Sequence, residues 1–341
     1  MVPAPLRLIL DGEALVSNWR WLAERSGTAA CGAAVKADGY GLGAREAAER
    51  LAKAGCRDFF VATWAEAAEL DPPGSLSVLH GVSADEMDHA AASPARPVLN
   101  TVEQVGRWRE TGRPCDVMID TGINRLGLSA ADVAGGLLDG LSVETLMSHL
   151  ACADEDNPAN ERQLRAFVDL AGKAKARRQS LANSAGICLG PDYAFGLTRP
   201  GIALYGGVPR REAEGHIRQV ARVEARIVQR RRIGPGDSVG YNATFTADRP
   251  HELAILNIGY ADGYLRGFSG TGRARIGDRF APVIGRVSMD LIAICVDSAP
   301  EVAEGDWIEL DYDLPTASAQ SGLSQYELLT ILGSRFERIW R

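Results

Sequence analysis

The residues best suited to chemistry stand where short apolar runs end. Lys36 closes one such run, in Ala34-Val35-Lys36-Ala37-Asp38-Gly39-Tyr40-Gly41. A lysine there is costly unless it is paired, neutralised or used covalently. With its pKa pushed down, its amine can form a Schiff base with an aldehyde. Taken alone, such a residue is more often simply salt-bridged. Two other segments bear on the choice. Ala182-Asn183-Ser184-Ala185 sets a hydroxyl among small neighbours, and Thr198-Arg199-Pro200-Gly201-Ile202 carries a glycine that lets the backbone approach a ligand closely. The Ser184 hydroxyl and the Gly201 amide are therefore candidate phosphate contacts.

These segments need a scaffold that brings them together. From Asp11 to about Gly207, short apolar runs alternate with longer amphipathic ones. The apolar runs are Ala33–Ala37, Phe59–Ala62, Leu76–Leu79, Pro97–Leu99, Val117–Asp120, Thr145–His149, Ser180–Asn183 and Ile202–Tyr205. Between them, Ala44–Ala54, Ala65–Leu70, Val102–Arg109, Ala130–Leu138 and Ala159–Arg177 repeat apolar residues every three or four positions, as one buried helix face requires. This α/β pattern predicts an N-terminal (β/α)8 barrel, in preference to an open doubly wound sheet, which usually has fewer strands. Barrels place chemistry at strand ends and often bind phosphate after strands seven and eight. Ser184 and Gly201 fall there, which turns Lys36 from a bland residue into a candidate.

After Val208 the texture becomes β-rich, in Val220–Val228, Leu253–Ile258, Ala274–Ile276, Ala281–Val287, Leu291–Val296 and Trp307–Leu310. Gly-Pro-Gly, Asp-Gly and Gly-Asp turns punctuate these runs. We expect a barrel domain over 11–215 and a mostly β domain over 216–341, joined by an opening strand within 1–10. Gln325–Leu332 reads as a short helix.

Composition narrows the class. The formal net charge of −7 argues against a nucleic-acid partner, which would want a basic face. Arg230-Arg231-Arg232 reads as a solvated strand end. Cys31, Cys56, Cys115, Cys152, Cys188 and Cys295 are scattered, without a C-x-x-C pair or a histidine at metal-ligand spacing, so no metal site is expected. Reduced thiols in a cytoplasmic protein explain them best. The segment from Met1 to Leu10 is too short and proline-marked for a signal peptide, and no apolar run is long enough to span a membrane.

Read in order, further motifs join these: Asp120-Thr121-Gly122-Ile123-Asn124-Arg125-Leu126-Gly127, Ser148-His149-Leu150, Arg199 through Gly206, Val239-Gly240-Tyr241-Asn242-Ala243-Thr244, Ile258-Gly259-Tyr260-Ala261-Asp262-Gly263 and Gly285-Arg286-Val287-Ser288-Met289-Asp290. Over nearly its whole length the chain resembles bacterial alanine racemases. That resemblance implies an isomerase using pyridoxal 5'-phosphate (PLP), a small amino-acid substrate, and a homodimer with shared active sites. In a bacterium it would supply D-alanine for peptidoglycan. Lys36 would hold PLP as a Schiff base and serve as one acid/base. Tyr40, Ser184, Gly201 and Ile202 would hold the phosphate, with His149 and Asn183 completing the cofactor set. Arg199 would face the pyridine nitrogen. Arg125 would bind near the cofactor's phenolic oxygen and the substrate carboxylate. Tyr241 would be the second acid/base, from the other subunit, with Tyr260, Met289 and Asp290 also crossing the interface.

These roles are physically coherent. Racemisation removes a proton from one face of Cα and delivers one to the other, which two opposed bases achieve. A free tyrosine has a pKa of about 10, so a relay through His149 and Arg199 would help Tyr241 act near neutrality. Arginine does not readily give up its proton, so the ring nitrogen opposite it stays unprotonated and transamination is disfavoured. Each residue also has an ordinary reading: His149 as a satisfied core histidine, Tyr241 as strand-end packing, Arg125 as a helix cap or partner of Asp120.

Two positions depart from the family pattern. Relatives often carry a carbamylated lysine where this chain has Met118, so Arg125 needs another anion: a chloride, Asp120 or Asp116. Ser334, in Leu332-Gly333-Ser334-Arg335, stands where many relatives have a tyrosine, which predicts a roomier pocket that tolerates serine. A racemase for serine, lysine or ornithine is thus an alternative. A PLP decarboxylase of related architecture conflicts with Tyr241 and Arg199. A non-catalytic PLP-binding protein of one barrel would lack residues 216–341. Biosynthetic or catabolic direction stays open.

Overall fold

Seven short parallel strands lie edge to edge in chain order: Ala33–Ala34, Asp58–Val61, Ser75–Val78, Arg96–Leu99, Cys115–Met118, Val143–Met147 and Arg178–Ser180. They belong to a computed structural model that describes residues 4–341. Phe59, Phe60, Val61, Val78, Val98, Leu99, Val117 and Leu146 are almost wholly buried. Parallel strands covered on both faces need such continuous apolar runs. The eighth strand, Leu197–Thr198, pairs with Ala30–Cys31. Bonds from Gly196 N to Gln179 O (3.1 Å) and Arg199 N to Ala182 O (2.9 Å) tie it to the seventh strand, and Ala34 N to Pro200 O (2.9 Å) ties it to the first. The ring thus closes into a barrel.

Helices Ala44–Ala54 and Val102–Arg109 have the bounds their periodicity predicts. Thr101 caps the second of these, and Thr63, Ser129 and Asn157 cap other helices, each by accepting a backbone N–H bond. Two expectations are corrected. Ile202–Tyr205, expected as the last strand, is a buried 3-10 turn, and the strand precedes it. Pro200 has no N–H for a ladder, and a short apolar run cannot be told from a buried turn by periodicity. The first strand also stops at Ala34, because Lys36–Tyr40 winds into a turn of its own.

The β-rich part is an eight-stranded sheet. Its order is His251–Leu256, Ile292–Cys295, Arg279–Ile284, Arg273–Ile276, Trp307–Leu310, Ala221–Ile233, Leu6–Leu10 and Phe336–Trp340. Ala221–Ile233 also pairs back to His251–Leu256, with a register shift between Ile227 and Gln229. Such a bulge bends a strand sharply, here letting the sheet curl into a barrel-like ring. Leu6–Leu10 joins this sheet as expected of the opening strand, while residues 1–3 lie outside the described residues. Helix Leu314–Ser321 and strand Phe336–Trp340 are elements the sequence reading missed. The chain forms two compact units, Ala14–Arg218 and, with the described residues through Glu13, Gln219–Arg341. No helix among the described residues is long and apolar enough to cross a membrane.

Candidate active site

Lys36 opens a left-handed turn. Ala37, Asp38, Gly39 and Tyr40 have φ of 53°, 51°, 61° and 56°. Each non-glycine residue held there costs about 1–2 kcal/mol. Local bonds hold the turn: Gly39 N donates to Val35 O (2.9 Å), Gly41 N to Ala37 O (2.8 Å) and Ala44 N to Asp38 Oδ1 (2.8 Å). Ala37 N donates to Glu66 Oε1 at 2.7 Å. The turn carries Lys36 and Tyr40 together at the carboxyl end of the first strand.

Tyr40 is buried and stacks on Tyr205, with ring centroids 4.8 Å apart. Tyr205 is in turn fixed by donating its hydroxyl to Ala34 O at 3.0 Å. A Cβ at residue 201 would lie 2.1 Å from the Tyr40 hydroxyl, so only glycine fits beside it. The Gly201 and Ala203 amides donate to Ser184 Oγ at 2.8 and 3.3 Å. Ile202 is buried next in line. Tyr40, Ser184, Gly201 and Ile202 therefore form one small polar cradle after strands seven and eight. Asn183 caps the helix Ser184–Leu189, its Oδ1 accepting from Gly186 N at 2.8 Å. That cap fixes the start of the helix whose first residue is Ser184.

The charges around Lys36 are almost all positive. Arg199 is buried, donating to Ser180 Oγ and, at 2.6 Å, to Ser148 O. Burial lowers its pKa to about 10, so it remains a cation at neutral pH. Burial, reinforced by Arg199, Arg125 and Lys36, pushes His149 down to about 3. His149 is neutral there. The Lys36 amine is held below its ordinary pKa by burial first and then by Arg125, with Arg199 adding to this and Glu66 opposing it. A depressed amine and surrounding cations suit a ligand that brings an aldehyde, a phosphate and further oxyanions. The residues present thus fit PLP.

Arg125 is exposed on a loop clipped to its strand. Asp120 Oδ1 accepts the amides of Gly122, Ile123 and Asn124 at 2.8, 3.0 and 3.2 Å. Leu128 N donates to Met118 O at 2.9 Å, and a Cβ on Gly127 would lie 2.6 Å from Asp120 N. Met118 itself is buried. Asp116, one of the anions considered for Arg125, is instead occupied by the Ser77 hydroxyl at 2.6 Å and by Arg96 at 3.5 Å. Burial raises its pKa. Asp120 serves its own loop, so neither carboxylate is a free substitute for a carbamate.

The β unit gathers the other four site residues on adjoining loops. Tyr260 N donates to Ser288 O and Ala261 N to Met289 O, both at 3.0 Å. Arg335 donates to Asp262 at 2.6 and 2.8 Å and to Asp290 at 2.7 Å. Asp262 is fully buried, so this guanidinium neutralises it while fixing Asp290. Gly240, before Tyr241, has φ of 75° and packs on the Arg286 backbone, where a Cβ would sit 3.1 Å from Arg286 N. Tyr241 is 64 % exposed and Met289 53 %, so both side chains face outward on these loops. The sequence reading missed Glu66, Tyr205 and Arg335. Tyr205 and Arg335 stood inside quoted segments, Arg199 to Gly206 and Leu332 to Arg335, but were given no role of their own. It also missed a group from distant strands: His251 Nδ1 lies 2.8 Å from Asp297 Oδ2 and 3.6 Å from Cys295 Sγ. Asp297 is already met by Arg249 (3.1 Å) and Glu252 N (2.7 Å), making the group a hydrogen-bonded clasp.

Comparison with known proteins agrees with this geometry. Residues 10–209 match the family described as alanine racemase, N-terminal domain, and residues 220–340 match alanine racemase, C-terminal domain. An alanine racemase of Acidiphilium cryptum is 42 % identical, covering 97 % of this chain and 98 % of that protein. A biosynthetic alanine racemase of Agrobacterium fabrum is 41 % identical, covering 98 % and 93 %. The crystal structure of alanine racemase from Bartonella henselae with covalently bound pyridoxal phosphate superposes with a TM-score of 0.92 at 34 % identity, covering 99 % of this chain and all of that one.

Proposed function

Because this chain belongs to the alanine racemase family, we propose that it is a PLP-dependent isomerase interconverting L- and D-alanine. The observation that carries this is the Lys36 pocket: an amine of depressed pKa among Arg125, His149 and Arg199, beside the cradle of Tyr40, Ser184 and Gly201. When bound, the cofactor withdraws electrons from the substrate and makes its Cα–H acidic.

The residues divide the remaining work. The lowered pKa of Lys36 lets its amine take up and return a proton at Cα on one face. Tyr241 of the partner subunit does so on the opposite face. Tyr40, Ser184, Gly201 and Ile202 hold the phosphate. Arg199, pinned by Ser180 and Ser148, presents a permanent donor to the ring nitrogen. Arg125 binds the substrate carboxylate. His149, neutral at working pH, offers a hydrogen bond to the Tyr241 phenol rather than a charge.

The proposal includes a homodimer, with Tyr241, Tyr260, Met289 and Asp290 completing the partner's site; the exposed Tyr241 and Met289 support it. We also read a barrel domain over 11–215 and a β domain over 216–341 with strand 1–10, supported by the two compact units and the two family matches. A cytoplasmic location is supported by the free state of the six cysteines.

A broader substrate range is favoured by Ser334, small and exposed next to the Arg335 clamp. The test is a racemisation assay over a panel of L-amino acids with PLP supplied. We expect a yellow protein, D-alanine as the main product, and kcat/KM for L-serine within about a hundredfold of that for L-alanine. Strict exclusion of serine would refute the roomier pocket. A colourless protein producing no D-amino acid would refute the function.

A further inference from the structure

Glu66 stands on the helix Trp64–Ala68, outside every motif that marks the site. Its two carboxylate oxygens do different things. Oε2 accepts the amides of Ala62 (2.6 Å) and Thr63 (3.2 Å), which completes a capping box with Thr63. Capping needs no more than this. Oε1 points away from the helix and accepts Ala37 N at 2.7 Å, the first amide after Lys36.

One carboxylate therefore bridges the ends of two neighbouring barrel strands, at the point where five consecutive residues, Ala37 to Gly41, adopt positive φ. A backbone strained in this way persists only where its surroundings over-determine it. The same turn fixes where the Lys36 amine and the Tyr40 ring sit, and Tyr40 has no slack against Gly201. Glu66 is also the anion that Lys36 feels against two arginines.

We propose that Glu66 is a positioning residue of the active site, placing the Lys36 amine and the Tyr40 ring through the left-handed turn and supplying the negative charge opposite Lys36. The proposal rests on the PLP reading above for its functional consequence. A carboxylate accepts at both oxygens, whereas the glutamine of E66Q must turn an NH2 donor toward one set of amides and carries no charge.

The test compares full-length wild type with E66Q, E66D and T63V. T63V removes the other half of the capping box, an acceptor 3.2 Å from Glu66 N, without touching Ala37. Stripped protein is titrated with PLP and followed by the Schiff-base absorbance, the pH dependence of that absorbance is recorded, and melting temperature is measured alongside. Both T63V and E66Q lower the melting temperature. Of these two, only E66Q raises the PLP dissociation constant, by about tenfold or more, the equivalent of one charge-assisted hydrogen bond. In E66Q the lysine titration also moves to lower pH. E66D, too short to bond at both ends, loses affinity but keeps the pH profile, and it carries the test should E66Q fail to fold. Equal PLP affinities and pH profiles in T63V and the Glu66 variants would reduce Glu66 to a helix cap. A second readout separates this from the functional reading: NMR titration of reductively methylated Lys36 in cofactor-free protein. A shift to lower pH in E66Q upholds the positioning even if wild type binds no PLP, which would overturn the function instead. An unmoved Lys36 titration overturns the positioning.

Discussion

His149 shows how a charge state follows from packing. Its folded pKa of about 3 lies well below the ordinary histidine value of 6.5, chiefly through burial and then through neighbouring cations. The unfolded chain therefore binds a proton that the folded chain refuses, between about pH 6.5 and about pH 3. Folding stability contributed at His149 is full above that window and is lost as pH falls through it. We expect cofactor-free wild type to lose melting temperature steadily from neutral pH downward, and H149N to show a shallower slope. Parallel slopes would mean that His149 is not held neutral. Lys36 was legible because an amine at an apolar strand end demands a reason. Glu66 was not, because a glutamate three residues after a threonine reads as an ordinary capping box, and nothing local says where its second oxygen points.

The Lys36–Tyr40 turn and the cradle it abuts behave as one mechanical part. Gly201→Ala would put a Cβ 2.1 Å from the Tyr40 hydroxyl and 2.9 Å from the ring carbon that bears it. The ring cannot retreat freely, since it stacks on Tyr205, which is fully buried. We expect G201A to weaken PLP binding by roughly tenfold or more. Y40F removes the nearest atom, so the double variant should lose less than the two single losses combined. Cofactor titration of the four proteins measures this coupling, and strict additivity would show that the two residues do not press on each other. Helices such as Ala44–Ala54 were readable to their ends, because a 3.6-residue period reports a buried face directly. The left-handed turn was not, since Ala37 and Tyr40 carry no intrinsic preference for positive φ and Asp38 only a slight one; local bonds and the long-range bond from Ala37 N to Glu66 hold it together.

The proposed active site needs two copies of the chain, which makes subunit mixing its most direct test. K36A retains Tyr241, and Y241A retains Lys36. Separately, each should lose racemase activity by about a hundredfold or more, as removal of an acid/base group does. Unfolded and refolded together in equal amounts, half the dimers are hybrids, and each hybrid holds one intact site of two. The mixture should recover about a quarter of wild-type activity if dimers form at random. No recovery, with hybrids demonstrated by mass, would place both bases in one protomer or remove one of them from catalysis.

What could be read directly from the chain follows from local pattern. Burial repeats of two and 3.6 residues revealed strands and helices, glycine and proline marked the breaks, and residue chemistry singled out an amine, a phenol and arginines. What had to wait for the folded chain was every contact between partners remote along it. Glu66 meets Ala37 from 29 positions away and Arg335 meets Asp262 from 73. Periodicity records which side of an element is covered, not which distant group covers it. The choice of partner is made by the path of the backbone in space, and at Lys36 that path sets both the geometry and the charge of the candidate base.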